Sequence, residues 1–341
     1  MTGQPATFTD LIDLASERVF GSVLLANDEF FAPKEGLLKA TPAEWREGAY
    51  TERGKWMDGW ETRRRRTPGY DWCIVRLGIP GIVRGIVVDT SFYRGNYPES
   101  CSIDGAVVEG VPAAETIAAD ARWTEIVPRS PLQGDARNEF PVNVATPFTH
   151  LRLNIFPDGG VARLRVYGDG YFDPKRHHPG SEIDLAAAEN GGQALLCSDM
   201  FFGSRHNLIM PGRSTHMGDG WETRRRRGPG HDWSIVKLAT RGTVHRIEID
   251  TDHFKGNAPG RCTVELCDAR AVSTAPNADI QALASRVGAW HMLLHETPLQ
   301  PHSRHRFTEL AAHGPATHVR LNIYPDGGVA RMRVYGMPEN K

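Results

Sequence analysis

The feature that most constrains this chain is an internal duplication. Residues 58–66 read DGWETRRRR and recur unchanged at 219–227, an offset of 161 positions. Farther along, residues 149–168 match residues 317–336 with three conservative differences. A length of 341 residues suits about two domains of ordinary size. Because each repeat is much longer than one unit of a solenoid, the duplication predicts two homologous domains.

The ends of the matched blocks set the expected domain boundaries. We expect a first domain at 1–168, whose repeat begins near residue 13, and a second domain at 184–336. Residues 169–183 are polar and contain Pro and Gly, which predicts a linker. Residues 337–341 then form a short C-terminal tail.

Apolar residues within a repeat alternate with polar ones, which is typical of half-buried strands. Strands are therefore predicted at 72–77, 82–89, 151–155 and 161–167. In the last of these, Ala162, Leu164 and Val166 share one face, opposite Arg163 and Arg165. The sequence Pro-Asp-Gly-Gly at 157–160 predicts a hairpin turn between the last two strands.

Helical signals are confined to 112–121 and 280–287, which predict two short helices. The chain also has 35 Gly and 23 Pro, an excess that favours short elements joined by turns. Together these features predict an all-β fold of two homologous β-sandwiches, most simply jelly rolls.

The near-equal numbers of basic and acidic residues limit the kinds of partner that this chain can bind. Lys and Arg total 40 against 41 Asp and Glu, which argues against a DNA-coating protein or a polybasic membrane binder. No apolar run approaches the length of a membrane span, and the N-terminus lacks the pattern of a secretory signal. The five cysteines form no CxxC pair, which predicts reduced thiols. We therefore expect a cytoplasmic protein with no nucleic-acid or membrane partner.

The repeated segment concentrates arginine at 63–66 and 224–227. If it is a strand, Trp60, Thr62, Arg64 and Arg66 share one face, and Glu61, Arg63 and Arg65 share the other. An unpaired buried guanidinium is very costly, so these side chains must meet carboxylates of the chain or of a ligand. A ligand site is slightly favoured over a network that ties loops, repeats or subunits together. Trp60 and its counterpart Trp221 are interpreted as core residues.

Two further features suggest polar binding or catalysis. Arg94-Gly-Asn96 and Lys255-Gly-Asn257 each follow a predicted strand end and place a cation beside an amide. The first repeat contains His150 alone, whereas the second contains eleven histidines, of which His231 and His253 replace Tyr70 and Phe92. Histidine titrates near neutral pH, which suits acid–base chemistry. No HExxH or similar spacing appears, so no metal site is predicted beyond a weak divalent-cation site.

These motifs resemble one known family closely. DGWETRRRR followed by PGxDW, DTxxx[RK]GN and THxRLNI[FY]PDGGVAR is similar, over essentially the whole chain, to the allantoicase family. The resemblance implies two jelly-roll β-sandwiches of the galactose-binding-like type and a homo-oligomer. It also implies a hydrolase that converts allantoate to ureidoglycolate and urea in purine (allantoin) degradation, without a required cofactor.

Allantoate is an anion with two ureido arms, so its site needs cations for the carboxylate and acceptors for the ureido N–H groups. The expected substrate-binding residues are Arg64, Arg66, Arg94, Asn96, Arg224, Arg226, Lys255 and Asn257. The expected acid–base or ureido-binding residues are Glu61, Asp71, Glu222, Asp232, His231 and His253. The alternatives are a non-catalytic tandem module that binds carbohydrate or anions, and an assembly role for the arginine runs.

Overall fold

The computed structural model describes residues 7–272 and 280–339. The chain divides into two compact units, residues 1–171 and 172–341, which are taken separately below. Among the described residues, no helix has both the length and the apolar character needed to cross a membrane.

The first unit consists mainly of strands. They are β1 (Ile12–Asp13), β2 (Ser22–Ala26), β3 (Tyr50–Thr51), β4 (Gly54–Lys55), β5 (Trp60–Glu61), β6 (Asp71–Asp89), β7 (Ser100–Ala106), β8 (Thr124–Pro131), β9 (Arg137–Pro141), β10 (Pro147–Phe156), β11 (Gly160–Val161) and β12 (Arg163–Gly170). Its helices are α1 (Ala114–Asp120) and three 3₁₀ turns at Phe8–Asp10, Glu17–Val19 and Lys34–Leu38.

The second unit repeats this order. Its strands are β13 (Ile183–Asp184), β14 (Gln193–Cys197), β15 (Trp221–Glu222), β16 (Asp232–Asp250), β17 (Arg261–Cys267), β18 (His291–Pro298), β19 (Arg304–Phe307), β20 (Ala316–Tyr324), β21 (Gly328–Val329) and β22 (Arg331–Pro338). Its helices are α2 (Ala269–Val272), α3 (Ile280–Ser285) and 3₁₀ turns at Pro174–Arg176, Ala188–Asn190, Arg205–Ile209 and Met217–Asp219.

One long strand organises each unit. The first half of β6 pairs antiparallel with β2 and β10, and its second half pairs with β9 and β12. The strand therefore belongs to two layers, β2–β6–β10–β7–β8 and β1–β12–β6–β9. β16 does the same in the second unit. This arrangement confirms the duplicated β-sandwich. Between the two halves of β6, Gly78 approaches the Val19 carbonyl so closely that a Cβ would lie 1.9 Å from its oxygen.

Alternation identified much of the core correctly. Leu151, Leu153 and Ile155 of β10 are fully buried, and so are Leu164 and Val166 of β12. The predicted strands 72–77 and 82–89 are the two halves of β6. The two predicted helices are confirmed as α1 and α3, each a few residues shorter than expected.

The predicted hairpin at 157–160 is wrong. β10 and β12 do not pair with each other, because β6 lies between them and pairs with both. The turn leads instead into β11, which pairs with β5 of the repeated segment. The local turn chemistry is correct, but strand order depends on a partner about 80 residues upstream, as in other sheets with non-local pairing.

The predicted strand over the arginine run is also wrong. Only Trp60 and Glu61 are in β5, and the chain is irregular beyond them. The reason lies in the backbone: the N–H of Arg63 donates to the Asp28 carboxylate, and that of Arg65 donates to Asp158. Side-chain acceptors thus take the hydrogen bonds that a neighbouring strand would otherwise receive.

Candidate active site

The repeated segment begins in the core of each unit. Trp60 is fully buried, and its indole nitrogen donates to the Asp28 carbonyl oxygen at 2.8 Å. Trp221 makes the same bond to Asp199 in the second unit. The core interpretation of both tryptophans is confirmed, and these hydrogen bonds fix the position of the glutamate that follows each ring.

Asp58 anchors the segment through a buried ion pair. Arg163 Nη2 donates to Asp58 Oδ2 at 2.5 Å, and both side chains are under 5% exposed. Lys39 Nζ and the backbone N–H of Glu44 donate to the same carboxylate, while the guanidinium also reaches the carbonyl oxygens of residues 41–42. Arg163 lies on the face of β12 opposite Leu164, as predicted, and it is nevertheless buried because residues 39–44 cover that face.

Two arginines in the first run form ion pairs with carboxylates of their own unit. Arg63 Nε donates to Asp28 Oδ2 at 2.6 Å, and Arg65 Nη1 donates to Asp71 Oδ1 at 2.5 Å. Arginines that form ion pairs therefore alternate along the run with arginines that do not, and Arg63 and Arg65 are the two that form them. Arg64 and Arg66 are exposed, with no ion pair or hydrogen bond to any residue that the structure describes.

The second run repeats this pattern. Arg224 Nη2 pairs with Asp199 Oδ1 at 2.7 Å, and Arg226 pairs with Asp232. The two arginines expected to bind a substrate carboxylate here thus already hold carboxylates of the protein. Their guanidinium groups fix the local loops, as the alternative interpretation of the run anticipated.

A cavity of about 630 Å³ opens beside the repeated segment of the first unit. We call it the signature pocket. Its walls are formed by Phe31, Trp45, Glu47, Lys55, Met57, Glu61, Phe92, Arg94, Gly95 and Asn96. It therefore brings together Glu61, Arg94 and Asn96, which the sequence analysis selected from two separate motifs.

Glu61 is the carboxyl group best placed for chemistry in this pocket. Its side chain is held by Asn96, whose amide donates to Glu61 Oε1 at 2.8 Å. Burial raises the pKa of Glu61 above its usual value, and the Asn96 hydrogen bond offsets part of that rise. A carboxyl group with a raised pKa, at the wall of an open cavity, is suited to donate a proton.

Two cations share the pocket with Glu61. Lys55 Nζ lies 4.1 Å from the centre of the Trp45 ring, and Arg94 Nε donates to Asp135 Oδ2 at 3.1 Å. The Arg94 side chain is 80% exposed, so most of its guanidinium faces solvent and the cavity. A carboxyl donor, an amide and two cations suit a small anion with hydrogen-bonding arms.

Four of the pocket residues that sequence reasoning missed belong to one segment. Trp45, Glu47, Lys55 and Met57 lie in an insertion of the first repeat that carries β3 and β4. The signal was present: Phe31 and Asp58 are 27 positions apart, whereas their counterparts Phe202 and Asp219 are 17 apart. The insertion forms one wall of the pocket in the first repeat and is missing from the second, so the ligand sites of the two repeats should differ there.

The second unit has the same hydrogen bond between an asparagine and the glutamate of the repeated segment. The Asn257 amide donates to Glu222 Oε1 at 2.5 Å, as Asn96 does to Glu61. Glu222 is less buried than Glu61, however, and Lys255 is exposed. Because the insertion is missing here, Met217 occupies the neighbouring position, with its sulfur 3.4 Å from the Asn257 amide nitrogen.

Asp71 and Asp232 lie deeper than the pocket. Each is 1% exposed and begins the long strand of its unit, paired with Arg65 or Arg226. The Asn27 amide also donates to Asp71 at 2.9 Å. Neither aspartate is among the residues that line the signature pocket, and both hold the ends of the arginine runs in place.

The two histidines that distinguish the second repeat have different surroundings. The His231 ring packs on Tyr324 with centroids 4.8 Å apart, the same spacing as between Tyr70 and Phe156 in the first unit. It also lines a separate cavity of about 610 Å³, together with Arg226. His253 lies in the loop after β16, away from that cavity and beside another histidine.

Comparisons with known proteins match this duplicated, mostly β architecture. The family model for the allantoicase repeat matches residues 12–171 and 183–339. A probable allantoicase of Pseudomonas aeruginosa is 48% identical over 341 residues, covering 99% of each chain. A probable allantoicase of Burkholderia mallei is 48% identical over 327 residues, with 95% of this chain and 94% of the relative covered.

Solved structures agree. The crystal structure of allantoicase from Saccharomyces cerevisiae has a TM-score of 0.75 and 34% identity, covering 95% of this chain and 92% of that one. The class that fold and site define is thus a duplicated β-sandwich hydrolase with a polar pocket beside a repeated arginine segment. More specifically, the chain belongs to the allantoicase family. This membership favours an enzyme over a non-catalytic binding module.

Proposed function

We propose that the signature pocket of the first unit is where this chain hydrolyses allantoate to ureidoglycolate and urea, the reaction of its family. The observation that carries the proposal is Glu61, a buried carboxyl group with a raised pKa, held by Asn96 in a pocket that also contains Lys55 and Arg94. In the second unit the insertion that walls this pocket is missing, so we assign catalysis to the first.

The cations select the anionic end of the substrate. Allantoate has one carboxylate and two uncharged ureido arms on the same carbon atom. Arg94 and Lys55 are the groups in the pocket that attract the carboxylate, and Arg94 retains donors beyond the one used by Asp135. Glu47 and the Asn96 side-chain oxygen are acceptors for ureido N–H groups.

Glu61 then moves the protons. Breaking the bond between the central carbon and a ureido nitrogen requires a proton on that nitrogen, which the protonated Glu61 supplies. Water adds to the carbon, and its proton passes to the Glu61 carboxylate, so the acid is restored as urea leaves. In the net reaction, one proton reaches the leaving nitrogen and one leaves the attacking water. If urea leaves first and an imine forms, the remaining ureido N–H also gives up a proton, which returns to that nitrogen when water adds.

Two matched variants test the assignment. In an assay for urea release from allantoate, Glu61→Gln should lower kcat by about 10²- to 10⁴-fold, the usual contribution of a general acid. Glu222→Gln alters the equivalent residue of the second unit and should retain activity close to the parent value. Full activity in Glu61→Gln would refute the proposal, as would an equal loss in both folded variants.

We also propose that the chain works in the cytoplasm as a homo-oligomer, without nucleic-acid or membrane partners. The near-zero net charge of −1 and the family resemblance support this setting. A molar mass of a single chain in light scattering would contradict the oligomer.

A further inference from the structure

The second unit contains a cluster of ligand-type side chains that the proposed reaction does not use. Asp252, His253 and His302 each offer one atom, and these atoms all lie within 4.8 Å of one another. Within residues 7–272 and 280–339, no other group of three or more His, Cys, Asp or Glu residues is arranged in this way. Its members come from two loops, one after β16 and one between β18 and β19.

The distances place several possible ligand atoms around one point. Asp252 Oδ1 lies 2.8 Å from His302 Nδ1, and Asp252 Oδ2 lies 3.8 Å from His253 Nε2. His253 Nε2 also donates to the Ser214 carbonyl oxygen at 3.1 Å, so a cation bound at this nitrogen would replace its proton and have that oxygen nearby. A carboxylate oxygen and an imidazole nitrogen at 2.8 Å repel each other unless a proton or a cation lies near both.

The backbone leaves His302 available for a cation. The His253 N–H donates to His302 Nδ1 at 2.8 Å, but it also has Asp252 Oδ1 as a second acceptor at 3.1 Å. If Nδ1 binds a cation, that N–H therefore keeps a partner. Arg213 Nη2 holds the other carboxylate oxygen at 3.0 Å, which orients Asp252 but also opposes a positive charge, so moderate affinity is expected.

The first unit braces the same loops in another way. Asp135 occupies the place of His302: its Oδ1 accepts from the Phe92 N–H at 2.8 Å, and its Oδ2 pairs with Arg94 at 3.1 Å. Ser91 and Phe92 stand where the second unit has Asp252 and His253. In the second unit, the Arg94–Asp135 pair between the loops is thus replaced by two imidazoles and a carboxylate, of which Asp252 and His302 connect the two loops.

We propose that the second unit binds one divalent first-row transition cation at Asp252, His253 and His302, and that this cation braces the two loops. Two imidazoles and one carboxylate suit Zn²⁺ better than Mg²⁺, Ca²⁺ or Mn²⁺, which favour oxygen ligands. The site goes beyond allantoate hydrolysis and does not depend on the assignment of catalysis to the first unit.

The test measures binding of Zn²⁺ to the full chain, without an affinity tag and after dialysis against a chelator. Calorimetry should show one site per chain, and zinc anomalous scattering should place the ion among the three side chains. At a Zn²⁺ concentration 100 times Kd, the melting temperature of the second unit should rise by about 5–10 °C.

The variant Asp252→Ser/His253→Phe introduces the residues of the first unit and should weaken Zn²⁺ binding at least tenfold while the protein stays folded by circular dichroism. The control His295→Ala removes an exposed histidine outside the cluster and should bind as the parent does. The proposal is overturned if the parent binds no stoichiometric Zn²⁺, if the ion lies elsewhere, or if the double variant binds equally well. Because these readouts are binding, position and stability, they are independent of urea release.

Discussion

Replacing Asp58 with Asn should destabilise the first unit and distort its pocket. Asp58 and Arg163 form a buried pair at 2.5 Å, and the same carboxylate receives Lys39 and the Glu44 backbone N–H. The variant keeps the shape of the side chain but removes its charge, which leaves the Arg163 guanidinium buried without a counter-ion.

The magnitude follows from what Arg163 retains. Removing one partner of a buried pair costs roughly 3–5 kcal/mol. The guanidinium still donates to backbone carbonyl oxygens of residues 41, 42, 58 and 162, so the loss should lie at the lower end, about 3 kcal/mol. For a unit of this size, that lowers the melting temperature by about 6–12 °C.

The acid dependence of stability provides a second readout. Hydrogen bonds from Arg163, Lys39 and the Glu44 N–H outweigh desolvation and hold the pKa of Asp58 below its usual 3.8. A lowered folded pKa means that the stabilisation is complete above 3.8 and is lost as the pH falls through the folded pKa. Asp58→Asn should therefore lack this part of the acid destabilisation.

The assay is thermal unfolding by calorimetry, with the transition of the second unit as an internal reference. Glu44→Gln is the control, because the Glu44–Arg46 pair is exposed and should contribute under about 1 kcal/mol. Because Asp58 also anchors the segment before Trp45 and Glu47, Asp58→Asn should raise KM for allantoate more than it lowers kcat. An Asp58→Asn protein as stable as the control would refute this reasoning.

Two further predictions concern buried histidines and exposed arginines. Burial lowers the pKa of His150 and of His318 to about 4, so both imidazoles are neutral in the folded protein near pH 7. Their contribution to the free energy of unfolding is complete above about pH 6.5 and is lost as the pH falls toward 4. Between pH 7 and pH 5 each unit should lose about 2 kcal/mol of stability, and His150→Gln should flatten the calorimetric pH profile of the first unit alone. Arg64→Lys and Arg66→Lys should change the free energy of unfolding by under about 0.5 kcal/mol and leave KM unchanged, since neither side chain lines the signature pocket. A strong rise of KM in either variant would show instead that the arginine run binds the substrate carboxylate.

Local pattern was sufficient for the repeats and much of the core. Alternation placed Leu151, Leu153 and Ile155 correctly because burial on one face of a strand is a period-two property. It could not show that Arg163, on the opposite face of its strand, is buried beneath residues 39–44. A pattern along one strand cannot show what another part of the chain places over its polar face.

For the site, the sequence indicated Glu61, Arg94 and Asn96 as candidates but could not show that they line one pocket. Their contact depends on a fold that brings residues 35 positions apart within 2.8 Å. Which arginines bind carboxylates was also beyond local reasoning, since Asp28 and Asp158 take the backbone N–H groups of the run and end the strand early.

The sequence by itself therefore determined the duplication, the β character of both units, their tryptophan cores and the family. Only the tertiary structure decided that β6 separates β10 from β12, that the insertion walls one pocket, and that Asp252, His253 and His302 meet. The physical reason is the same in each case. Periodicity and turn residues are local properties, whereas strand order, ion pairing and ligand clusters depend on which distant segments share one place in space.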